Sequence, residues 1–132
     1  MFTIGYYEGG IWIGMLFMSM LMGLLSVILG IVMYKKSPKK TNGLYGYRTS
    51  TSMKTQQTWD FAQKYAGKVM VKYGLICTAL GGALYSTITL LVSGVKDLPT
   101  FFALGSVLVQ AIGLTTTIFP VEKALKENFD EF

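Results

Sequence analysis

Histidine is absent from this chain of 132 residues, cysteine occurs once, and arginine occurs once among twelve basic side chains. Without histidine, the commonest general base and metal ligand is missing. Cys77 has no second cysteine for an intramolecular disulfide and no histidine or cysteine with which to share a metal, so it reads as a small core residue. No metal and no cofactor is implied. Acidic side chains are also few, and Asp60 is the only one in the long basic segment 35–72. A general acid/base pair is therefore hard to assemble, which argues against an enzyme.

Charge is missing from three long stretches. No charged residue lies in 9–34, in 73–95 or in 98–121. Each stretch exceeds the roughly 20 residues that a helix needs to cross about 30 Å of hydrocarbon. The hydrophobic fraction of 52% is ordinary and decides nothing; the distribution of charge decides. A soluble helical bundle would carry a polar face on each helix. These segments predict an all-α integral membrane protein in one domain, with spans at about 10–34, 73–95 and 98–120. A connector at 35–72 and a tail at 121–132 complete it. The first apolar run is too long for a signal peptide and lacks a basic lead, so its helix is expected to be retained.

Nine of the twelve basic residues fall in 35–72. The positive-inside rule makes that connector cytoplasmic, which puts the N-terminus and the 95–98 turn outside and the C-terminus inside. Tyr6, Tyr7 and Trp12 at one end of the first span, Tyr34 at its other end and Tyr73 at the start of the second fit the aromatic belts of a bilayer. Helices in lipid associate through small and polar residues. Each span offers such a stripe: Ser19, Gly23, Ser26 and Gly30; Gly74, Thr78, Gly82 and Ser86; Ser106, Gln110, Gly113 and Thr117. Gln110, the most polar of these, is expected to find an interhelical partner or to line a small cavity, with Ser106 and Thr117 as further intramembrane polar sites. No ionisable residue lies in any span, which speaks against a proton-coupled transporter.

The connector opens with KKSPKK at 35–40, a cluster suited to topology and to anionic lipid headgroups rather than to nucleic acid. Further on, Ala62, Ala66, Val69 and Tyr73 recur at helical spacing, beside a row of Lys64, Lys68 and Lys72. This predicts an amphipathic helix lying in the interface and running into the second span, capped by Thr51 or Ser52. In the tail, Val121, Leu125, Phe129 and Phe132 share a face behind Pro120, and four of the seven acidic residues cluster there. The tail is expected to fold back against the basic connector.

Between these lies NGLYGYRTSTS, 42–52, which holds the lone arginine. Arg48 offers a planar guanidinium that makes paired hydrogen bonds where an ammonium cannot. Gly46 permits a tight turn, and Tyr45, Tyr47 and Thr49 add hydroxyls. The segment reads as an ordered turn at the membrane face. Its arginine either latches the connector to the helix ends or recognises an anion.

The string Asn42-x-x-Tyr45-Gly46-Tyr47-Arg48-Thr49, then Ser52, Trp59-x-x-Ala62-Gln63 and Ala66-Gly67-Lys68, resembles the signature of the SdpI-type immunity proteins. These are bacterial membrane proteins that protect a producer against a secreted sporulation-delaying toxin. The resemblance implies a multi-pass protein of the bacterial plasma membrane that neutralises a toxin peptide. In the best-known members it also implies a winged-helix repressor held at the membrane. The residues it carries over for toxin or partner binding, or for building the fold, are Asn42, Tyr45, Gly46, Tyr47, Arg48, Thr49, Trp59 and Gln63. Ser50 departs from the proline that many members have there, and an additional N-terminal membrane domain found in some members has no counterpart here. Toxin contact is expected through the apolar spans or the outer surface, because a lysine-rich face suits a cationic peptide poorly. The competing readings are a small channel or exporter, and an enzyme acting on lipid-linked substrates. Three short helices bury little of their own surface, which leaves self-association open.

Overall fold

In a bilayer every backbone N–H and C=O has to be satisfied inside the protein, and an uncharged run does so by forming a helix. The computed structural model describes residues 2–91 and 97–129, with side chains from residue 10 onward apart from Pro99. Four helices account for most of it: α1 Phe2–Lys35, α2 Gln56–Leu91, α3 Leu98–Thr116 and α4 Ile118–Asn128. Three stretches, Gly10–Lys35, Gln56–Leu91 and Thr100–Asn128, are long and apolar enough to cross a membrane, as in a multi-pass membrane protein. Burial is inverted relative to a water-soluble domain. Ile13, Leu90, Phe101 and Ile112 are exposed, whereas Ser19, Ser26, Thr89 and Gln110 are buried. The turn expected at 95–98 lies largely outside the described residues, as do Phe132 of the tail face and the side chains of Tyr6 and Tyr7.

The 36 residues of α2 correspond to about 54 Å of helix, well beyond the hydrocarbon thickness. The segment expected to run into the second span as a helix is the first half of α2, continuous with the span. Its cap differs from expectation. Thr55 Oγ1 accepts from the Thr58 N–H at 3.1 Å, and Thr58 Oγ1 accepts from the Thr55 N–H at 3.0 Å. This reciprocal pair closes the helix start as a capping box does. Thr51 and Ser52 lie upstream in the turn that precedes it.

α1 and α2 run antiparallel with their backbones in contact. A Cβ placed on Gly74 would sit 2.5 Å from the Gly23 carbonyl oxygen, one on Gly67 2.8 Å from that of Gly30, and one on Gly81 2.5 Å from that of Ser19. Ser26 Oγ donates to the Met70 carbonyl at 2.9 Å. The stripe expected on α1 is buried throughout, at Ser19, Gly23, Ser26 and Gly30. On α2 the seam keeps Gly74 and Thr78 of the expected run, both against Gly23, and continues through Gly67 and Gly81 rather than through Gly82 and Ser86. A step of four residues rotates about 40° past a full turn, so a strict fourfold run leaves the interface. A step of seven stays within about 20° of it. Ser86 is exposed and returns its hydroxyl to the Gly82 carbonyl at 2.8 Å.

The break between α3 and α4 comes from Pro120. It has no N–H to offer the Thr116 carbonyl, and its ring crowds that carbonyl. The Thr117 N–H accordingly turns back to Leu114 O at 3.2 Å, a 3₁₀-type closure. α4 lays Val121 and Leu125 on Ala62 and Ala66 of α2, with Met33, Tyr47, Phe61 and Phe129 around them. Phe61 and Phe129 meet edge to face, 5.5 Å between centroids. The tail thus folds back on the connector end of α2 through this apolar face.

The seam gives a direct test. Gly74→Ala should force α1 and α2 apart and cost about 1–3 kcal/mol, the range for overpacking. Gly105→Ala, where a Cβ meets nothing within 4 Å, should be neutral or slightly stabilising. Thermal unfolding of the two variants in detergent, followed by size-exclusion recovery, measures the difference.

Candidate functional site

The chain leaving α1 has to cross beneath the bundle to the start of α2, and side chains of α2 hold it in place. Trp59 is fully buried and donates its indole N–H to the Pro38 carbonyl at 2.7 Å. Gln56 Nε2 donates to the Lys39 carbonyl at 2.6 Å. Asn42 organises the next turn: its Oδ1 accepts from the Leu44 and Tyr45 N–H groups at 2.9 and 3.0 Å. The Tyr45 hydroxyl reaches back to the Lys36 carbonyl at 2.6 Å. Leu44, at the tip, is 92% exposed.

Gln63 is the clamp. Fully buried, it accepts from the Tyr47 N–H at 2.7 Å through Oε1 and donates to the Tyr47 carbonyl at 2.8 Å through Nε2. One side-chain amide thereby satisfies both backbone groups of one residue, as a neighbouring strand would. The chain approaches that amide closely at Gly46. Its φ of +113° favours glycine, and a Cβ there would lie 2.6 Å from Gln63 Oε1 and 3.0 Å from Pro38 Cγ.

Beyond the clamp, Tyr47 and Thr49 turn to α4. Glu122 Oε1 accepts from the Tyr47 hydroxyl at 2.9 Å and from Thr49 Oγ1 at 2.7 Å. Burial, reinforced by the Glu122 carboxylate, pushes the Tyr47 phenol well above its ordinary range, so it remains a donor. Ser52, fully buried, accepts from the Thr49 N–H at 2.9 Å and lies 3.1 Å from the carbonyls of both Tyr47 and Thr49. Thr58 Oγ1 completes the turn on the Ser52 carbonyl at 3.1 Å.

Of the residues singled out in the sequence, Gly46, Tyr47, Thr49, Trp59 and Gln63 come together here, and Asn42 and Tyr45 shape the adjoining turn. Arg48 is exposed and makes no hydrogen bond or ion pair among the described residues. Sequence reasoning missed Glu122, Pro38 and Thr58. A signal existed for Glu122: it is the first carboxylate after the long uncharged run of the third span. The tail's docking carboxylate takes hydroxyls rather than lysines. The Lys123–Glu127 pair, 3.8 Å apart, is exposed and lies within α4.

The intramembrane polar residues form a separate site. Gln110 Nε2 donates to the Ser19 carbonyl at 2.6 Å, and its Oε1 accepts from the Gly23 N–H at 3.1 Å. Those two groups are hydrogen-bond partners in a regular helix, so the amide of α3 bridges one rung of α1. Tyr73 donates to the Gln110 carbonyl at 2.7 Å, tying α2 to the same point. Ser106 and Thr117 do not join this bridge, and bond within their own helix to Ala103 and Leu114. Beside Gln110 an apolar groove of about 490 Å³ opens between α2 and α3, walled by Leu80, Leu84, Phe101 and Phe102, with Cys77, Gly81, Gly105, Ser106 and Val109.

A sequence model of the SdpI/YfhL protein family matches residues 39–121, which include the clamp, α2, α3 and the start of α4. The uncharacterised protein YfhL of Bacillus subtilis strain 168 is 38% identical over 69 residues. That alignment covers 52% of this chain and 63% of the relative, so the chain spans under two thirds of that protein's length. No solved structure matches.

The clamp makes a prediction about the connector. Gln63→Leu fills the same space but leaves the Tyr47 N–H without a partner, at about 1–3 kcal/mol for an unsatisfied buried group, and leaves its C=O with the Ser52 hydroxyl alone. Trypsin should then cut after Arg48 at least tenfold faster than in the wild type. Glu122→Leu should accelerate the same cleavage, and Glu122→Gln, whose amide oxygen still accepts, should do so less. Timed digestion with mass spectrometry of the fragments reads all three.

Proposed function

The chain belongs to the SdpI/YfhL protein family, and on that premise we propose that it is a non-enzymatic immunity protein of the bacterial plasma membrane. Its task is to neutralise a secreted, membrane-active antimicrobial peptide. The observation that carries this reading is the family match over residues 39–121, within which the signature residues gather into one braced connector. The apolar groove between α2 and α3 is the feature best suited to a peptide arriving through the bilayer, since it is open to lipid and has Gln110 and Ser106 in its wall. A side chain of the peptide would find close packing and a few polar groups there, the combination that holds helices together in lipid. The toxin would be met in the spans, away from the lysines of the connector.

A second role at the same protein is the holding of a cytoplasmic repressor. It is supported by the exposed Leu44 and Arg48, which are carried on a connector held in place at Pro38, Lys39 and Tyr47. An apolar tip and a guanidinium on a fixed frame suit a protein surface. In this reading the connector and the first half of α2 are cytoplasmic, the latter close to the headgroups, and the N-terminus is outside.

The reading is tested by killing assays in a sensitive bacterium challenged with candidate secreted peptides, with membrane levels checked by immunoblot. Wild type should protect. Arg48→Lys should protect equally if the groove meets the toxin, and should lose any repressor recruitment. Failure of wild type against every peptide would count against immunity. Orientation is tested separately in a Cys77→Ala background. An impermeant maleimide should label Asp97→Cys in intact cells and label Ser50→Cys only after lysis; the reverse pattern would invert the topology.

A further inference from the structure

A second cleft, of about 310 Å³, lies between α2 and the start of α4 and is lined by Tyr65, Lys68, Val69, Lys72 and Pro120. Its depth is set by its neighbours. Lys72 is the last charged residue of α2, and Pro120 stands where the apolar run of the third span ends. Lys68 sits 5.5 Å over the ring of Tyr34, close to where α1 ends. The cleft therefore straddles the boundary between hydrocarbon and headgroup on the connector side.

Its charge is uncompensated. Lys68 and Lys72 are one turn apart on one face, and like charges at that spacing repel. Among the described residues neither has a carboxylate within ion-pair distance. Glu122 is turned to Tyr47 and Thr49, and Asp60 accepts from Gln56 at 2.8 Å, two turns before Lys68. The Tyr65 hydroxyl has no protein partner among the described residues, while its ring is stacked on Phe61 at 5.5 Å. The lining thus combines two lysines and a phenol with the apolar surface of Val69 and Pro120. An occupant has to bring negative charge to the lysines and apolar surface to the valine and proline.

We propose that this cleft binds the headgroup phosphate of an anionic phospholipid. Lys68 and Lys72 neutralise the phosphodiester, Tyr65 donates to one of its oxygens, and Val69 and Pro120 meet the glycerol and the first methylenes of the acyl chains. Lysines at this depth have stems long enough to hold the charge at the headgroup while their methylenes cover the helix. A lipid held there would brace α4 against α2 beside the Val121–Leu125 contact. The proposal is independent of the immunity reading and of which leaflet the connector faces.

The test is native mass spectrometry of the detergent-purified full chain titrated with phosphatidylglycerol or with phosphatidylcholine. Wild type should bind phosphatidylglycerol in preference. The Lys68→Gln/Lys72→Gln double variant should lose about tenfold or more of that affinity, from the attraction expected per basic residue near a membrane surface. Lys39→Gln/Lys40→Gln, which removes the same charge from the exposed connector, should change it less than twofold. Equal losses in the two double variants would reduce the effect to net charge and overturn the site. Competition by soluble glycerol 3-phosphate at the concentrations at which the lipid binds would overturn the lipid as ligand. A photoactivatable phosphatidylglycerol on unmutated protein gives a readout that does not depend on how the variants fold. Crosslinks in the peptide containing Tyr65 and Val69 support the cleft, and crosslinks confined to 35–40 overturn it.

Discussion

Backbone contact between α1 and α2 is the constraint on which the remaining structure depends. Lipid tails are as apolar as leucine, so burying leucine between helices gains little, and association relies on close packing and on polar groups that need partners. Gly67, Gly74 and Gly81 supply the first requirement against Gly30, Gly23 and Ser19. Gln110 supplies the second. An unsatisfied amide at this depth is costly, and the place where it finds both a donor and an acceptor is the Ser19–Gly23 rung of α1. The third helix is therefore located by polar bonds at Gln110, from its own amide and from the Tyr73 hydroxyl, where the first two are located by a seam.

The seam also fixes what happens beyond the membrane. With Gly30 against Gly67, the chain emerging from α1 passes the first turns of α2, where Trp59 and Gln63 face it. Those two side chains bond to backbone groups, at Pro38 and Tyr47, so they specify the path of the chain rather than the identity of its side chains. The identities matter one step later. Tyr47 and Thr49 carry the hydroxyls that Glu122 accepts, and Glu122 stands in the first turns of α4, two residues after Pro120. The connector, the third span and the tail are coupled through these few bonds.

Much of this was legible from the distribution of charge and of small residues. Uncharged runs give the spans because hydrocarbon tolerates no unpaired backbone, and the α1 stripe was readable because alternating steps of four and three follow a helix face. The α2 stripe was right at Gly74 and Thr78 and failed at Ser86, because a run of exact fours imitates a face over two turns and leaves it by the third. Thr55 was missed as the cap because several hydroxyl residues precede α2, and only the reciprocal pairing with Thr58 distinguishes it. The clamp was visible as residue types, but its target was not: Gln63 recognises a main-chain N–H and C=O, which have no sequence signature. Glu122 was hidden for a different reason. It was counted with the acidic residues of the tail, as a partner for lysines, when its position on α4 commits it to hydroxyls.

The lone arginine is best understood from its neighbours. Tyr47 and Thr49, two residues apart, both reach Glu122. Arg48 between them is exposed. Neither the clamp nor the latch uses its guanidinium, and the eleven lysines are sufficient to set orientation by charge. The anchoring role is filled by Trp59, Gln63 and Glu122 instead. What distinguishes arginine from lysine is the planar fork that binds carboxylate or phosphate with paired hydrogen bonds, and that property has value only where a group is there to accept them. Its backbone is held on one side by the Gln63 clamp and on the other by the Ser52 turn, so the guanidinium is presented from a fixed base. Among the described residues no carboxylate lies within ion-pair distance of it, so the braces at Gln63 and Ser52 hold the Arg48 backbone without drawing on its side chain.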